Sequence, residues 1–266
     1  MNLKYKHLLI VALLAVFPTS CKYQKLLKSN DNKEKYEQAK NYYEEGDYAK
    51  SLTLYEQLIP IYRGTEKGEE ISYYYAYCNY HLRNYILAGH YFRKFTSSFP
   101  NSQFAEECTF MNAYCYYLDS PKSTLAQEST FKALTEFSLY LGRYPESERA
   151  EECNDLIDDL SRKLQKKSYE NAILYYKVGQ YKAASVALKS SLEHFPDSEH
   201  REEMMYLIIK SEYTYAINSV HGKTVDRLND ALQEYKTFVR KFPESKHMKE
   251  LSKINNDINK KLDFLN

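Results

Sequence analysis

The chain has 266 residues and a formal net charge of +1, with 28 Tyr, 12 Phe and no Trp. So even a balance argues against a nucleic-acid binder that relies on a broad basic face. Seven Gly and seven Pro are too few for long linkers or disorder. The apolar fraction suffices for a core.

Residues 1–20 read as a secretory signal: basic Lys4 and Lys6, the apolar run Leu8 to Phe17, then Pro18-Thr19-Ser20. The run is too short on its own to be a persuasive membrane span. Cys21 follows a small residue there, which resembles a lipoprotein processing site and makes Cys21 the expected lipid attachment point. Pro18 replaces the usual Leu, while Ser before the cysteine is similar to lipoproteins of the Bacteroidetes group. Ordinary secretion with a free N-terminal Cys, or an uncleaved anchor, are the alternatives. Cys21 is followed by Lys-Tyr-Gln-Lys, neither an Asp retention signal nor an acidic surface-export string. The expected location is therefore the outer membrane, lipid-anchored and facing the periplasm. Residues 21–32 are polar and read as a tether. Cys78, Cys108, Cys115 and Cys153 lack the close pairing of metal or redox motifs and read as small buried hydrophobes.

From Lys33 onward the apolar positions recur at three or four residues, the period of amphipathic helices. Gly179 to Ser198 states the repeating unit most fully: a Gly turn, Tyr181, small Ala183 and Ala184, then Leu188, Leu192 and Phe195-Pro196-Asp197-Ser198. Ala184 stands twelve residues before Pro196; Ala88, Ala133 and Ala231 stand twelve before Pro100, Pro145 and Pro243. Each proline follows Phe or Tyr, and each has Ser two positions on, placed to cap the next helix. Gly46-Asp47-Tyr48 and Ser51 begin a first copy, with Arg63 where its proline is expected. No Gly or Pro interrupts Glu146 to Val178, so one helix of about 50 Å is expected there. Gly222 is expected in a loop before a helix from about Val225, and a final helix reaches Leu262.

The pattern is similar to tetratricopeptide (TPR) repeats, in which small residues let paired helices approach and proline ends the second helix. The expected fold is all-α: a right-handed TPR-like α-solenoid of five helix pairs plus a C-terminal helix. Repeats 1–3 take 33–145; repeats 4–5 and the capping helix take 146–266. A non-repeat helical bundle is the alternative. A single pair cannot bury its apolar face, and stacking supplies the missing partner.

Nothing points to catalysis. There is no His-Glu-x-x-His, no phosphate-cradling glycine loop and no Gly-x-Ser-x-Gly. His194 and His200 read as exposed loop residues. Glu151, Glu152, Asp155, Asp158 and Asp159, with Arg162, Lys163, Lys166 and Lys167 after them, match a solvated helix face aligned with the helix dipole. No catalytic residue, metal site or cofactor is expected. Tyrosine is the exception to this blandness. Four or five aromatics crowd Tyr73 to Tyr80, too many to face one core. Tyr36, Tyr43, Tyr48, Tyr74, Tyr75 and Tyr80 are the candidate peptide-binding face; consumption by repeat stacking is the alternative.

The signal, Cys21, the repeat spacings and the stretch Leu164, Tyr169, Ala172, Tyr175, Tyr176, Gly179, Tyr181, Ala183, Ala184 together resemble the BamD-like outer-membrane assembly lipoproteins. Two features depart from that pattern: Gln165, Lys166, Lys167 and Ser168 replace a more acidic and Arg-rich neighbourhood, and Arg63 replaces a proline. The resemblance implies a non-enzymatic scaffold. Its C-terminal repeats would dock on a periplasmic domain of a BamA-like barrel-forming subunit, with Tyr169, Tyr176, Tyr181, Arg162 and Lys166 the candidate docking residues. Its N-terminal repeats would lie near unfolded outer-membrane proteins. A TPR lipoprotein serving peptidoglycan, division or polysaccharide assembly is the alternative.

Overall fold

The computed structural model describes residues 17–265, with side chains from residue 22 onward except His221. The expected signal therefore lies largely outside the described residues, as does the Cys21 side chain. Among the described residues there are twelve α-helices and no strand. They are α1 (Phe17–Lys28), α2 (Asn32–Glu44), α3 (Tyr48–Leu58), α4 (Glu66–His81), α5 (Tyr85–Ser98) and α6 (Ala105–Asp119), then α7 (Glu128–Arg143), α8 (Ala150–Lys177), α9 (Tyr181–His194), α10 (Arg201–Ile217), α11 (His221–Lys241) and α12 (Met248–Leu265).

They form two compact units. One holds the described residues up to Pro121 with Glu128–Ile157, and the other holds Lys122–Gln127 with the chain from Asp158; the division falls inside α8. In the first, α2 packs on α3, α3 on α4, α4 on α5, α5 on α6 and α6 on α7. In the second, α9 packs on α10, α10 on α11 and α11 on α12, while Ala172 of α8 shares a core with Leu188, Met204 and Phe238. This consecutive pairing is the TPR-like α-solenoid arrangement, five pairs with α12 as the terminal helix.

The repeating positions explain the packing. Ala88, Ala133, Ala184 and Ala231 are all fully buried, and Ser51 occupies the same place in the first copy. A methyl group or hydroxymethyl there is what lets neighbouring helix backbones approach. After each aromatic-Pro step the four turns superpose in hydrogen bonding. The amides of Ser102, Ser147, Ser198 and Ser245 each donate to the carbonyl of the aromatic residue three back, at 3.2 Å. Each serine Oγ then accepts the amide two residues on: Phe104 (3.0 Å), Arg149 (3.1 Å), His200 (3.2 Å) and His247 (3.1 Å). The serines thus close the turn that leads into the next helix, rather than sitting at its N-cap position.

The opposite turn also recurs. Gly46 and Gly179 have φ of +79° and +77°, each followed by a polar residue and a Tyr that opens the next helix. Arg83 occupies this place between α4 and α5 with φ of +62°, the one positive-φ non-glycine among the described residues. Its amide donates to Tyr80 and that of Asn84 to Asn79, as Gly46 donates to Tyr43 and Asp47 to Tyr42.

Four expectations change. The first repeat does have its proline, Pro60, three positions earlier than Arg63; α3 accordingly ends at Leu58, about one turn short of α5. Gly222 lies in the first turn of α11 rather than in a loop, because Asn218, Ser219 and Val220 suffice for the connection. α8 begins at Ala150, not Glu146, since 146–149 form the serine turn, and it runs 28 residues. The polar tether is helical to Lys28: Leu26 is buried beside Tyr36, Leu54 and Leu58, while Tyr23 meets Tyr42 edge-on at 5.7 Å.

Candidate partner-binding surfaces

On the first unit, α2, α3 and α4 bring several tyrosines into one aromatic lattice. Tyr43 is its centre: its ring lies 4.7 Å from Tyr74, 5.4 Å from Tyr48 and 5.8 Å from His81. His81 stacks flat on Tyr48 at 4.1 Å, and its Nε2 is 3.3 Å from the Tyr43 hydroxyl. Tyr80 joins edge-on to His81 at 5.4 Å, while Tyr77 and Tyr73 continue the lattice along α4 at 4.8 Å from each other. Edge-to-face packing of this kind adds about 0.5–1.5 kcal/mol per pair beyond area burial. Burial raises the phenol pKa of Tyr43 and Tyr77, so their hydroxyls stay protonated donors. Desolvation of the His81 ring lowers its pKa, keeping it neutral and stackable.

Carboxylates one repeat further along hold the hydroxyls. Tyr36 donates to Glu70, and Tyr77 and Tyr73 donate to Glu107 at 2.5 and 3.3 Å. Each pair is separated by 34 residues or nearly so. In the second unit Tyr206 donates to Glu250 and Tyr213 to Asp257, both at 2.6 Å across 44 residues. A tyrosine answered by an acid one repeat later is a signal that reading each helix alone cannot find. Serine turns add a second strap: Ser102 to Glu69 (2.5 Å), Ser147 to Glu106 (2.6 Å) and Ser245 to Glu202 (2.6 Å).

The structure therefore gathers Tyr43, Tyr48, Tyr74 and Tyr80, and adds Tyr73, Tyr77 and His81. It does not add Tyr36 or Tyr75. Tyr36 is buried in the core of the first repeat. Tyr75 is buried edge-on to Tyr91 at 4.6 Å, lining a cavity of about 180 Å³ with Glu56, Lys94 and Phe95.

On the second unit the expected docking residues divide. Packing uses the tyrosines: Tyr169 stacks on His200 at 4.1 Å, and Tyr176 meets Tyr181 edge-on at 5.7 Å with Lys210 5.9 Å above its ring. His200 is thus tied down, not a free loop histidine. Arg162 and Lys166 are exposed on α8, Arg162 with Asp159 at 3.8 Å. Residues not foreseen share that exposure. Leu174 in the last turn of α8, Val178 just past its end and Val186 on α9 are 59, 61 and 62 % exposed. They join Val220 and Phe264 among the exposed apolar side chains of the second unit.

Cys78, Cys108, Cys115 and Cys153 are free and buried, with thiol pKa values raised by desolvation. Among the described residues no cluster of His, Cys, Asp and Glu could hold a metal, and no helix is long and apolar enough to cross a membrane.

Stacked TPR-like helix pairs with aromatic and apolar surfaces define a repeat scaffold, and the family comparison gives its kind. The chain belongs to the YfiO family of outer membrane lipoproteins, whose model matches residues 28–220 and 161–263. Over 125 residues it is 26% identical to the outer membrane protein assembly factor BamD of Caulobacter vibrioides (strain ATCC 19089 / CIP 103742 / CB 15). The aligned part is 47% of this chain and 41% of that protein, so the chain spans less than half of the relative it matches. The family is a non-catalytic one.

Proposed function

We propose that this protein is a non-enzymatic scaffold subunit of outer-membrane β-barrel protein assembly, held to the periplasmic face of the outer membrane through acylated Cys21. The observation that carries this reading is the family match across nearly all of the chain after the signal. The name of the Caulobacter relative, an assembly factor, points the same way. The C-terminal repeats dock on a periplasmic domain of a BamA-like barrel-forming subunit; exposed Arg162, Lys166, Leu174, Val178 and Val186 offer the mixed charged and apolar surface such docking uses. The N-terminal repeats present the Tyr43–Tyr48–His81 lattice to unfolded outer-membrane proteins, whose aromatic side chains suit its ring edges and hydroxyls. The Ser20–Cys21 junction supports a Bacteroidetes-type form of this lipoprotein.

Purification from the native membrane in mild detergent tests the reading. A stoichiometric barrel-forming partner with periplasmic repeats is expected. A peptidoglycan or polysaccharide enzyme in its place supports another envelope scaffold and overturns the barrel-assembly role. The anchor has a separate test: a Cys21→Ser protein that stays membrane-bound through a high-salt wash sinks the acyl attachment.

A further inference from the structure

α1 has two chemically different faces. Tyr23, Leu26 and Leu27 turn inward onto the first repeat, while Lys22, Lys25 and Lys28, spaced three apart, share the exposed side. The helix is clamped. The buried Lys35 ammonium donates to the Leu27 carbonyl at 3.1 Å and to Gln57 at 2.7 Å, and the Tyr23 hydroxyl donates to the Lys50 carbonyl at 3.3 Å. None of the three exposed lysines has an acidic partner among the described residues. Glu34 lines the shallow groove beside Lys22 and Lys25, and no Asp or Glu lies between Phe17 and Asn30. The basic face begins at the residue directly after Cys21.

We propose that this face of α1 is a docking surface for the phosphate-bearing headgroups of anionic lipids, and that it fixes the first repeat against the leaflet. The proposal deepens the lipid-anchor reading and rests on it. Acyl chains at Cys21 bring the leaflet within one residue of Lys22, and a helix clamped to the repeat cannot swing its lysines away. Three uncompensated cations at that distance meet the negative surface potential inside the Debye length, about 8 Å at physiological salt. One acyl signal and one basic signal then act together, the first holding the protein at the membrane and the second setting its orientation.

The test is lysine footprinting on the acylated full-length protein, reconstituted into discs of phosphatidylcholine alone or with roughly one part in three phosphatidylglycerol. Acetylation of Lys22, Lys25 and Lys28 is expected to slow about threefold or more in the anionic discs, and to recover when salt shortens the Debye length to about 3 Å. Exposed Lys246 and Lys249 serve as references and should not change. Equal rates in the two discs overturn the proposal, as does protection in neutral discs that salt leaves intact. Protection that appears only when the barrel subunit is present would assign the face to a protein instead. The mass of the Cys21 peptide in the same digest reports acylation separately. An unmodified Cys21 therefore sinks the anchor reading, while equal rates on an acylated protein sink this proposal alone.

Discussion

The Tyr77 hydroxyl donates to the Glu107 carboxylate at 2.5 Å, joining the first helix of the second repeat to the first helix of the third. A bond to an ionised acceptor contributes more than a neutral one, about 1.5–3 kcal/mol when its partner is not left stranded. Glu107 retains Tyr73 at 3.3 Å, so Tyr77→Phe should cost about 1–2 kcal/mol, and the Tyr73→Phe/Tyr77→Phe double variant more than the two single losses added. Urea titrations followed by circular dichroism measure both, and additive single effects would show that the two hydroxyls do not share the carboxylate.

Arg83 adopts a backbone conformation that glycine takes in the equivalent turns at 46 and 179. Left-handed backbone costs a non-glycine residue about 1–2 kcal/mol. Arg83→Gly should raise stability by about 0.5–1 kcal/mol, part of the relief being offset by the greater freedom of glycine in the unfolded chain. A lowered melting temperature would mean that the arginine side chain carries a contact outweighing the strain.

Ala184 is fully buried at the place where α9 meets its neighbours, whereas Val186 is 62 % exposed on the same helix. Ala184→Leu forces extra volume into a close-packed site and should destabilise by about 1–3 kcal/mol. Val186→Leu should leave stability within about 0.5 kcal/mol. If Val186→Leu or the bulkier Val186→Arg instead weakens copurification with the barrel subunit, that residue belongs to the docking surface.

Alkali should unfold the protein ahead of its backbone chemistry. Tyr73, Tyr140 and Tyr213 have phenol pKa values pushed up to about 12, chiefly by burial. An unfolded tyrosine ionises near about 10. The folded chain therefore binds more protons than the unfolded one between those values. The stability these groups supply is fully present below about pH 10 and is lost as pH rises toward about 12. The last part of the tyrosinate absorbance, from the buried rings, should rise together with the loss of ellipticity. Complete ionisation of all 28 tyrosines before any loss of helix would contradict the buried environment.

The aromatic lattice should matter to binding more than to folding at its outer edge. Tyr48→Ala with Tyr80→Ala removes two rings from the His81 side and leaves buried Tyr55 in place. Affinity for an unfolded outer-membrane-protein segment ending in an aromatic residue should fall about tenfold, as loss of a central aromatic contact does elsewhere. Buried Tyr75, exchanged for Phe, should leave that affinity unchanged.

Much of this architecture is visible in spacing. The Ala-to-Pro interval marks four second helices, and all four alanines prove to be fully buried because the interval measures how far the tight crossing lies from the helix stop. Three features escape it. Pro60 falls a turn early, so a fixed ruler passes it by; Arg83 performs a glycine's task without being glycine; and α1 is so rich in lysine that its three inward apolar residues are easily read as tether. The tyrosines show the deeper limit. Helical phase assigns Tyr74 and Tyr75 to different faces, yet whether a face meets another repeat or solvent depends on residues 34 or 44 positions away, such as Glu107 and Asp257.

Those straps also set an order in time. Tyr36 has its acceptor in Glu70, and Tyr77 in Glu107. A chain that crosses a membrane from its N-terminus presents the donor well before the acceptor, so two helices that have already emerged still hold an unanswered hydroxyl. The smallest piece able to close its own polar accounts reaches residue 70. In such a chain the first strap can close only once residue 70 is present and the next only at residue 107, while the terminal helix α12 answers Tyr206 and Tyr213 through Glu250 and Asp257.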